Sequence, residues 1–387
     1  MKKKILVVFG TRPEAIKMAP VVKALKGEQS LEVKVCVTAQ HRQMLDQVMD
    51  IFGLKADFDL NVMAPNQTLA DVTCKVLKGM EEVFAEWKPD MILVQGDTTT
   101  VMAAALAAFY HKIEVGHVEA GLRTGNIYSP WPEEMNRLIA GNLATQHYAP
   151  TPRSRDNLLR ENKDPKTVFV TGNTVIDALH EAVRIMDADP ALTADLASKF
   201  PFIDVGKRLV LVTGHRRENF GDGFIHICNA IKRVAARPDV QVVYPMHMNP
   251  NVRKPVNEIL GGLSNVHLIE PLDYLSFLYM MRKSYLIMTD SGGVQEEAPS
   301  LGKPVIVMRD TTERPEAVDA GTVILAGTET EAMASAAERL LDDKAFYDKM
   351  ARAVNPYGDG LASRRIAEII VTGCMRSERS TDIAGQG

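Results

Sequence analysis

Short apolar runs alternate with longer segments of helical periodicity along most of this chain. In the first half these runs predict five strands, at residues 4–9, 31–38, 91–95, 113–117 and 168–171. In the second half they predict six more, at residues 209–213, 241–245, 266–269, 285–289, 305–308 and 322–325. Strands that alternate with helices in this way are typical of parallel sheets covered on both faces. We therefore expect two doubly wound α/β units.

A polar stretch from Asp187 to Gly206 interrupts the alternation. It contains two prolines and no clear strand, so we interpret it as a connection. Its Asp187-Ala188-Asp189 sequence has the form of a metal–diphosphate motif, but its position before a proline favours an ordinary connecting segment. The pattern divides the two units near residues 170–175 and predicts a last helix from about Ala362.

Composition and charge narrow the class of protein. The chain has 387 residues, enough for two to three domains, and its 46% hydrophobic content is ordinary for a globular protein. A net charge of −4 gives no indication of a nucleic-acid surface. The four cysteines are far apart, which predicts free thiols in a cytoplasmic protein. The apolar run 5–9 is too short for a signal peptide, and no segment approaches a membrane span.

The stretch 285–304 predicts a buried strand, a tight turn and a helix that begins at about Gly293. Ser291 is expected to cap the first helical turn, and the pair Gly292-Gly293 leaves bare backbone for a ligand to approach. Such a helix N-terminus suits a phosphate, and Glu297 lies one turn further, in reach of sugar hydroxyls. This indicates a nucleotide site. The alternative is an ordinary strand–helix turn with Glu296 and Glu297 on a solvated face.

Charged side chains follow most of the predicted strands. Because ligands of such sheets lie outside the carboxyl ends of the strands, we expect these loops to line one central cleft if the two units face each other. The residues concerned are Arg12, Asp97, Glu119, His215, His247, Asp290 and Arg314. Some of the charged residues in the chain have a structural explanation: Asp97 can cap the following helix, Glu133 can complement a helix dipole, and Arg216 can be solvated.

Several cofactor motifs are absent from the sequence. No GxGxxG follows a strand, so a nicotinamide or flavin fingerprint is missing. There is no GxxxxGK[ST] of a P-loop NTPase, no HExxH, and no His/Cys cluster with metal-ligand spacing. We therefore expect no bound metal and no cofactor.

The assembled motifs resemble those of the non-hydrolysing UDP-N-acetylglucosamine 2-epimerases. They run in order from Phe9 to Gly360 and read FGTRPEAIKMAP, TAQHRQMLDQV, GDTTT, GHVEAGLRT, SPWPEEMNR, GNTVIDAL, GHRREN, YPMHMNP, TDSGGVQEEAPSLGKPV, RDTTERPE and NPYGDG. The resemblance implies a GT-B fold of two Rossmann-like domains facing a central cleft, and a cytoplasmic homodimer. The N-terminal domain would comprise residues 1–171 with the returning helix 362–387, and the UDP-binding domain residues 172–361.

The resemblance also implies roles for particular residues. The catalytic groups would be Asp97, Glu119, Glu133 and His215. The UDP part would be bound by Arg12, Lys17, Leu272, Phe277, Ser291, Gly292, Gly293, Glu297 and Arg314. A second, activating substrate site would use Gln40, Gln43, Glu133, Arg216 and His247. Some members carry arginine where this chain has Asn66, which leaves open whether substrate activation operates here.

The implied reaction interconverts UDP-GlcNAc and UDP-ManNAc and supplies cell-surface polysaccharide synthesis. The C1–O bond breaks, UDP leaves, and C2 loses its proton to give a 2-acetamidoglucal. A proton then returns to the other face of C2 and UDP adds back, which requires acid and base groups at both faces. Three alternatives stay open: a hydrolysing relative that releases ManNAc and UDP, a GT-B glycosyltransferase, and a nucleotide-sugar sensor without turnover.

Overall fold

The computed structural model describes residues 2–39, 42–64 and 66–384, with only the backbone described at Gln43, Arg217 and 374–384. These residues form two compact units. The first comprises Met1–Ala182 with Tyr357–Gly387, and the second comprises Val183–Pro356.

The first unit is built on a seven-stranded parallel sheet of order β3-β2-β1-β4-β5-β6-β7. Its strands are β1 Lys3–Phe9, β2 Leu31–Val37, β3 Phe58–Asp59, β4 Met91–Gln95, β5 Glu114–Val118, β6 Gln146–Ala149 and β7 Val168–Val170. Its helices are α1 Arg12–Lys26, α2 Arg42–Phe52, α3 Leu69–Glu86, α4 Thr99–Tyr110, α5 Glu133–Leu143, α6 Pro152–Arg160 and α7 Thr174–Ala188, through which the chain enters the second unit.

The second unit is built on a six-stranded parallel sheet of order β10-β9-β8-β11-β12-β13. Its strands are β8 Arg208–Thr213, β9 Val240–Pro245, β10 Val266–Ile269, β11 Leu286–Thr289, β12 Val305–Val307 and β13 Val323–Leu325. Its helices are α8 Pro190–Ser198, α9 Asp222–Ala235, α10 Pro250–Leu260, α11 Tyr274–Lys283, α12 Gly292–Glu297, α13 Pro315–Asp319, α14 Thr330–Asp342 and α15 Lys344–Ala351. The expected pair of doubly wound parallel sheets is confirmed.

In both sheets the strand order reverses beside the first strand of the unit. β1 pairs with β2 on one side and β4 on the other, and β8 pairs with β9 and β11. The central strand β4 is buried along its whole length, as expected for a strand covered by helices on both faces. The carboxyl ends beside such a reversal are where ligands bind in open α/β sheets.

The last helix, α16 (Ala362–Ala384), belongs to the first unit and packs against α1. The Asp177 carboxylate on α7 accepts hydrogen bonds from the backbone N–H groups of Ala362 and Ser363, at 3.2 and 2.8 Å. These bonds satisfy two donors of the first helical turn. No helix among the described residues is long and apolar enough to cross a membrane.

Two helices begin at or beside a proline, and the second of them was not predicted. Helix α1 begins at Arg12, where Thr11 and Glu14 form a capping box around Pro13. The polar connection contains α8, which Asp189 caps by accepting from the N–H of Leu192 at 3.0 Å. The short strands β3 and β6 were also missed.

Candidate active site

The residue Glu119 lies directly after β5, where the chain turns sharply at a φ of 61°. Its carboxylate accepts hydrogen bonds from Lys17 Nζ at 2.6 Å and from Gln95 Nε2. Lys17 comes from α1 and Gln95 from the end of β4. The structure therefore joins the predicted catalytic Glu119 to the predicted phosphate-binding Lys17 in a mostly buried ion pair, with 8% and 15% of the side chains exposed.

Asp97 follows the neighbouring strand, because β4 and β5 pair in parallel with Gln95 opposite Val118. Its carboxylate does not cap α4; Thr98 does so by accepting from the N–H of Val101. Instead, the Asp97 carboxylate accepts from Arg137 Nε at 2.8 Å, and Arg137 also donates to Glu134 at 2.9 Å. Arg137 and Glu134 both lie on α5.

Glu133 begins α5 and lines the same cavity as Asp97. This cavity has a volume of about 490 Å³ and is also lined by Thr11, Asn66 and Asn136. The Asn136 amide donates to the carbonyl oxygen of Asp97 at 2.9 Å, which couples the start of α5 to the end of β4. The structure thus brings the predicted residues Asp97 and Glu133 to one opening.

The buried carboxylate of Glu14 also supports this edge of the sheet. Its oxygens accept from the N–H groups of Gly10 and Thr11 at 2.8 and 2.7 Å, and from Thr98 Oγ1 at 2.5 Å. Burial raises the pKa of Glu14, and these hydrogen bonds act in the opposite direction. Glu14 therefore ties the turn after β1 to the turn after β4.

His117, on β5, holds the turn that precedes Asp97. Its Nε2 donates to the carbonyl oxygen of Gly96 at 2.7 Å, and Gly96 has the positive φ of 80° that the turn requires. Burial lowers the pKa of His117 to about 4. The imidazole is therefore neutral at pH 7 and acts as a structural donor.

The remaining predicted residues of the first unit have simpler placements. Arg12 lies in the first turn of α1, after the cap residue Thr11, and is partly buried. Gln40 lies outside the described residues, and for Gln43 only its place in α2 is described.

In the second unit, Asp290 organises the loop that carries His215. It lies at the end of β11 and is fully buried. Its Oδ2 accepts from the backbone N–H groups of His215 and Arg216, both at 2.8 Å. The His215 ring stacks on that of His247, with centroids 5.5 Å apart, so the structure brings His215, Arg216 and His247 together.

The protonation of His215 is set by its surroundings. Burial lowers its pKa, the Asp290 carboxylate opposes this change, and the charges of Arg216 and His247 reinforce it. The predicted acid–base group is therefore mainly neutral at pH 7. An anionic ligand close to the ring would raise its pKa and favour the imidazolium form.

The turn from Ser291 to Gly293 begins α12 as predicted, but Ser291 does not cap it through its side chain. The Arg314 guanidinium lies against Gly292, so closely that a Cβ there would be 2.6 Å from Cζ. Arg314 donates to the buried Glu296 at 2.8 Å. Glu296 is therefore not on a solvated face, and a Cβ at residue 292 would force the Arg314 guanidinium to shift.

The other predicted UDP-binding residues are carried by separate segments. Glu297 ends α12 and is partly buried, Leu272 precedes α11, and Phe277 lies in the first turns of α11. Asp273 caps α11 by accepting from the N–H of Ser276 at 2.8 Å. This cap fixes the start of the helix that carries Phe277.

Sequence reasoning missed several residues that hold the predicted ones in place. Two signals were available: the Thr11-x-x-Glu14 spacing of a capping box, and the i,i+3 spacing of an acid and a base on α5. Within the described part of the chain, no three His, Cys, Asp or Glu side chains are grouped to hold a metal ion. The missed residues are Glu14, Gln95, Glu134, Arg137 and Glu296.

A family model described as UDP-N-acetylglucosamine 2-epimerase matches residues 23–371. The chain belongs to this family. It is 59% identical to the UDP-N-acetylglucosamine 2-epimerase of Yersinia pestis over 369 residues, which cover 95% of this chain and 98% of that protein.

Solved structures of high similarity include the Neisseria meningitidis UDP-GlcNAc 2-epimerase bound to UDP-GlcNAc. It is 52% identical, with a TM-score of 0.89, and the match covers 95% of this chain and all of that one. A Staphylococcus aureus MnaA–UDP co-structure is 50% identical, with a TM-score of 0.84, over 95% and 96% of the two chains. The fold is α/β and GT-B-like.

Proposed function

We propose that this enzyme interconverts UDP-GlcNAc and UDP-ManNAc by eliminating UDP and adding it back, without hydrolysing the intermediate. One observation carries the proposal. Two carboxylates, Asp97 and Glu119, follow adjacent parallel strands, and each is held by a different cation, Arg137 or Lys17. Inversion at C2 needs one group that removes a proton and one that returns a proton to the opposite face. A pair of separately held carboxylates suits this requirement.

The proposed sequence of steps balances without an oxidant. The C1–O bond breaks and its electron pair leaves with UDP, and the C2 proton passes to a carboxylate to give the 2-acetamidoglucal. In the return direction a proton is added to the other face of C2, and a diphosphate oxygen of UDP attacks C1. Asp97, Glu119 and Glu133 are the proposed proton-transfer groups, with no face assigned to any of them.

The second unit is proposed to bind UDP. The backbone of Ser291 to Gly293 and the Arg314 guanidinium offer hydrogen bonds and positive charge to a diphosphate. His215 is proposed to give a proton to the departing UDP and to take it back on return. The negative diphosphate would itself raise the pKa of this histidine, which is otherwise lowered by burial.

Arg12, Leu272, Phe277 and Glu297 are also proposed to contact UDP. Substrate activation through Glu133, Arg216 and His247 stays a prediction, as do a homodimer, a cytoplasmic location and a role in cell-surface polysaccharide synthesis.

The test is proton NMR of the purified protein with UDP-GlcNAc in heavy water. UDP-ManNAc that carries deuterium at C2 is the expected product, because the C2 proton exchanges with solvent through the carboxylates. Free ManNAc with UDP would assign the chain to the hydrolysing class. No reaction at any substrate concentration would refute the proposal and favour transfer to an acceptor.

A matched control is available on β5. Glu119 pairs with Lys17 at the carboxyl end of the strand, and Glu114 pairs with Lys3 at its first residue, at 2.9 Å. Glu119→Gln should lower kcat by about 100-fold or more, as loss of an acid–base group does. Glu114→Gln should leave kcat unchanged. Equal losses would mean that the effect is structural.

A further inference from the structure

The buried carboxylate of Asp290 is only half satisfied. Oδ2 accepts three hydrogen bonds, from the N–H groups of His215 and Arg216 at 2.8 Å and from Asn219 Nδ2 at 3.5 Å. Oδ1 is buried and has no hydrogen-bond partner among the described residues. A buried carboxylate oxygen without a donor costs free energy, so its presence calls for an explanation.

The ring nitrogen Nδ1 of His215 lies 3.6 Å from Asp290 Oδ1. This distance is longer than a hydrogen bond, but a small rotation of the ring or carboxylate closes it. Such contacts are often long without ligand and shorten in the reacting complex. The backbone N–H of His215 already donates to Oδ2 of the same carboxylate. This bond keeps His215 Nδ1 close to Asp290 Oδ1.

We propose that Asp290 is a positioning residue for His215, whose Oδ1 accepts the Nδ1–H of the imidazole and leaves the Nε2 lone pair to exchange a proton with the substrate. The inference rests on the proposed function only for the identity of that substrate. Asp290 itself touches no reacting atom. It selects the tautomer, orients the ring and stabilises the imidazolium form once a proton arrives, because the negative charge is already fixed behind the ring.

The other groups that face His215 lower its pKa, so the charged form of the ring needs a negative partner. Arg216 and His247 both disfavour a positive charge on the ring. His247 Nδ1 accepts from the N–H of Asn249 at 3.2 Å, so this ring offers His215 no negative charge. Asp290 is therefore the negative group that offsets burial and Arg216. Without it the imidazolium would form only at lower pH.

The substitution Asp290→Asn tests the role with little change of shape. The amide oxygen of asparagine can accept the same two N–H bonds, but its NH2 group would then point at His215 Nδ1. The ring must then carry its proton on Nε2, and its pKa falls further. We expect kcat to fall about 10- to 100-fold with KM little changed, as for other residues that orient a functional histidine. The alkaline limb of the kcat–pH profile should move to lower pH, because His215 must be protonated to give its proton to UDP.

The decisive measurement uses the wild-type protein and needs no turnover. ¹⁵N-histidine NMR, with His215→Asn for assignment, should find the Nδ1–H tautomer of His215 at neutral pH. An Nε2–H tautomer in the wild type would overturn the proposal. So would a His215 pKa that is the same in Asp290→Asn as in the wild type. Because these readouts are spectroscopic, they stand even if the epimerisation assay fails.

Asp177→Asn is the matched control. Asp177 is also a buried aspartate that accepts two consecutive backbone N–H groups, those of Ala362 and Ser363. Its substitution should cost stability in a similar way but leave the tautomer and pKa of His215 unchanged. If both variants change the His215 signals equally, Asp290 has only a structural role.

Discussion

Removal of the Arg137 guanidinium tests whether the stability of the first unit depends on one buried cation, which binds the carboxylates of Asp97 and Glu134. Arg137 donates to Asp97 at 2.8 Å and to Glu134 at 2.9 Å. Glu134 is 2% exposed, whereas Asp97 is 27% exposed and stays partly hydrated. The cost of Arg137→Met should therefore come mainly from leaving the Glu134 charge buried without its partner.

The magnitude follows from that environment. Removing one partner of a buried pair costs about 3–5 kcal/mol. Glu134 keeps the N–H groups of Thr124 and Gly125, at 3.0 and 2.9 Å, which favours the lower end, about 3 kcal/mol. Adding Glu134→Gln removes the orphaned charge, so the double variant should recover about half of the loss.

The assay is urea unfolding of both single variants, the double variant and Arg123→Met as control. Arg123 pairs with Glu161 through two bonds of 2.7 and 2.8 Å, but Glu161 is 30% exposed. That control should cost only about 1 kcal/mol. If Arg137→Met costs no more than the control, or if Glu134→Gln restores nothing, the buried charge of Glu134 does not set the cost.

Two further predictions concern acid stability and the glycine turn. His117 has a pKa of about 4 in the folded protein and about 6.5 in the unfolded chain. As the pH falls, the unfolded chain therefore binds the proton first. About 2 kcal/mol of the free energy of unfolding is lost between pH 7 and pH 5. His117→Asn should reduce this loss in urea unfolding; an unchanged pH slope would contradict the cause. Gly292→Ala should lower Tm because its Cβ displaces Arg314. Gly293→Ala should not lower Tm, since its Cβ meets no atom closer than 3.5 Å. An equal fall in Tm for both variants would mean that the contact with Arg314 is not the cause.

Most of the fold could be predicted because each strand and helix is defined by its own short segment. The strand β4, for example, is an uninterrupted apolar run, and its turn residues follow directly in Gly96 and Asp97. Errors occurred where a local signal has two meanings. Proline at 190 begins a helix instead of ending one, because its missing N–H is harmless in the first turn.

The location of the candidate site could also be predicted, because parallel strands bring the residues that follow them to one edge. The partners of those residues could not. A helix cap was the structural alternative for Asp97 from its neighbours in sequence, but its carboxylate binds Arg137, 40 residues away. Asp290 was one charged loop residue among several, but it holds a loop 75 residues away.

The alternation of strands and helices, the α/β class and the family could be recognised from the sequence alone, since periodicity, turns and motifs are properties of contiguous residues. The tertiary structure was needed to show which charges are paired and which polar atoms of the described residues lack a donor. Strand order sets those contacts: it places Lys17 beside Glu119 and the free oxygen of Asp290 opposite His215. Burial then gives each contact its strength, because charges removed from water must be satisfied by the groups that the fold brings to them.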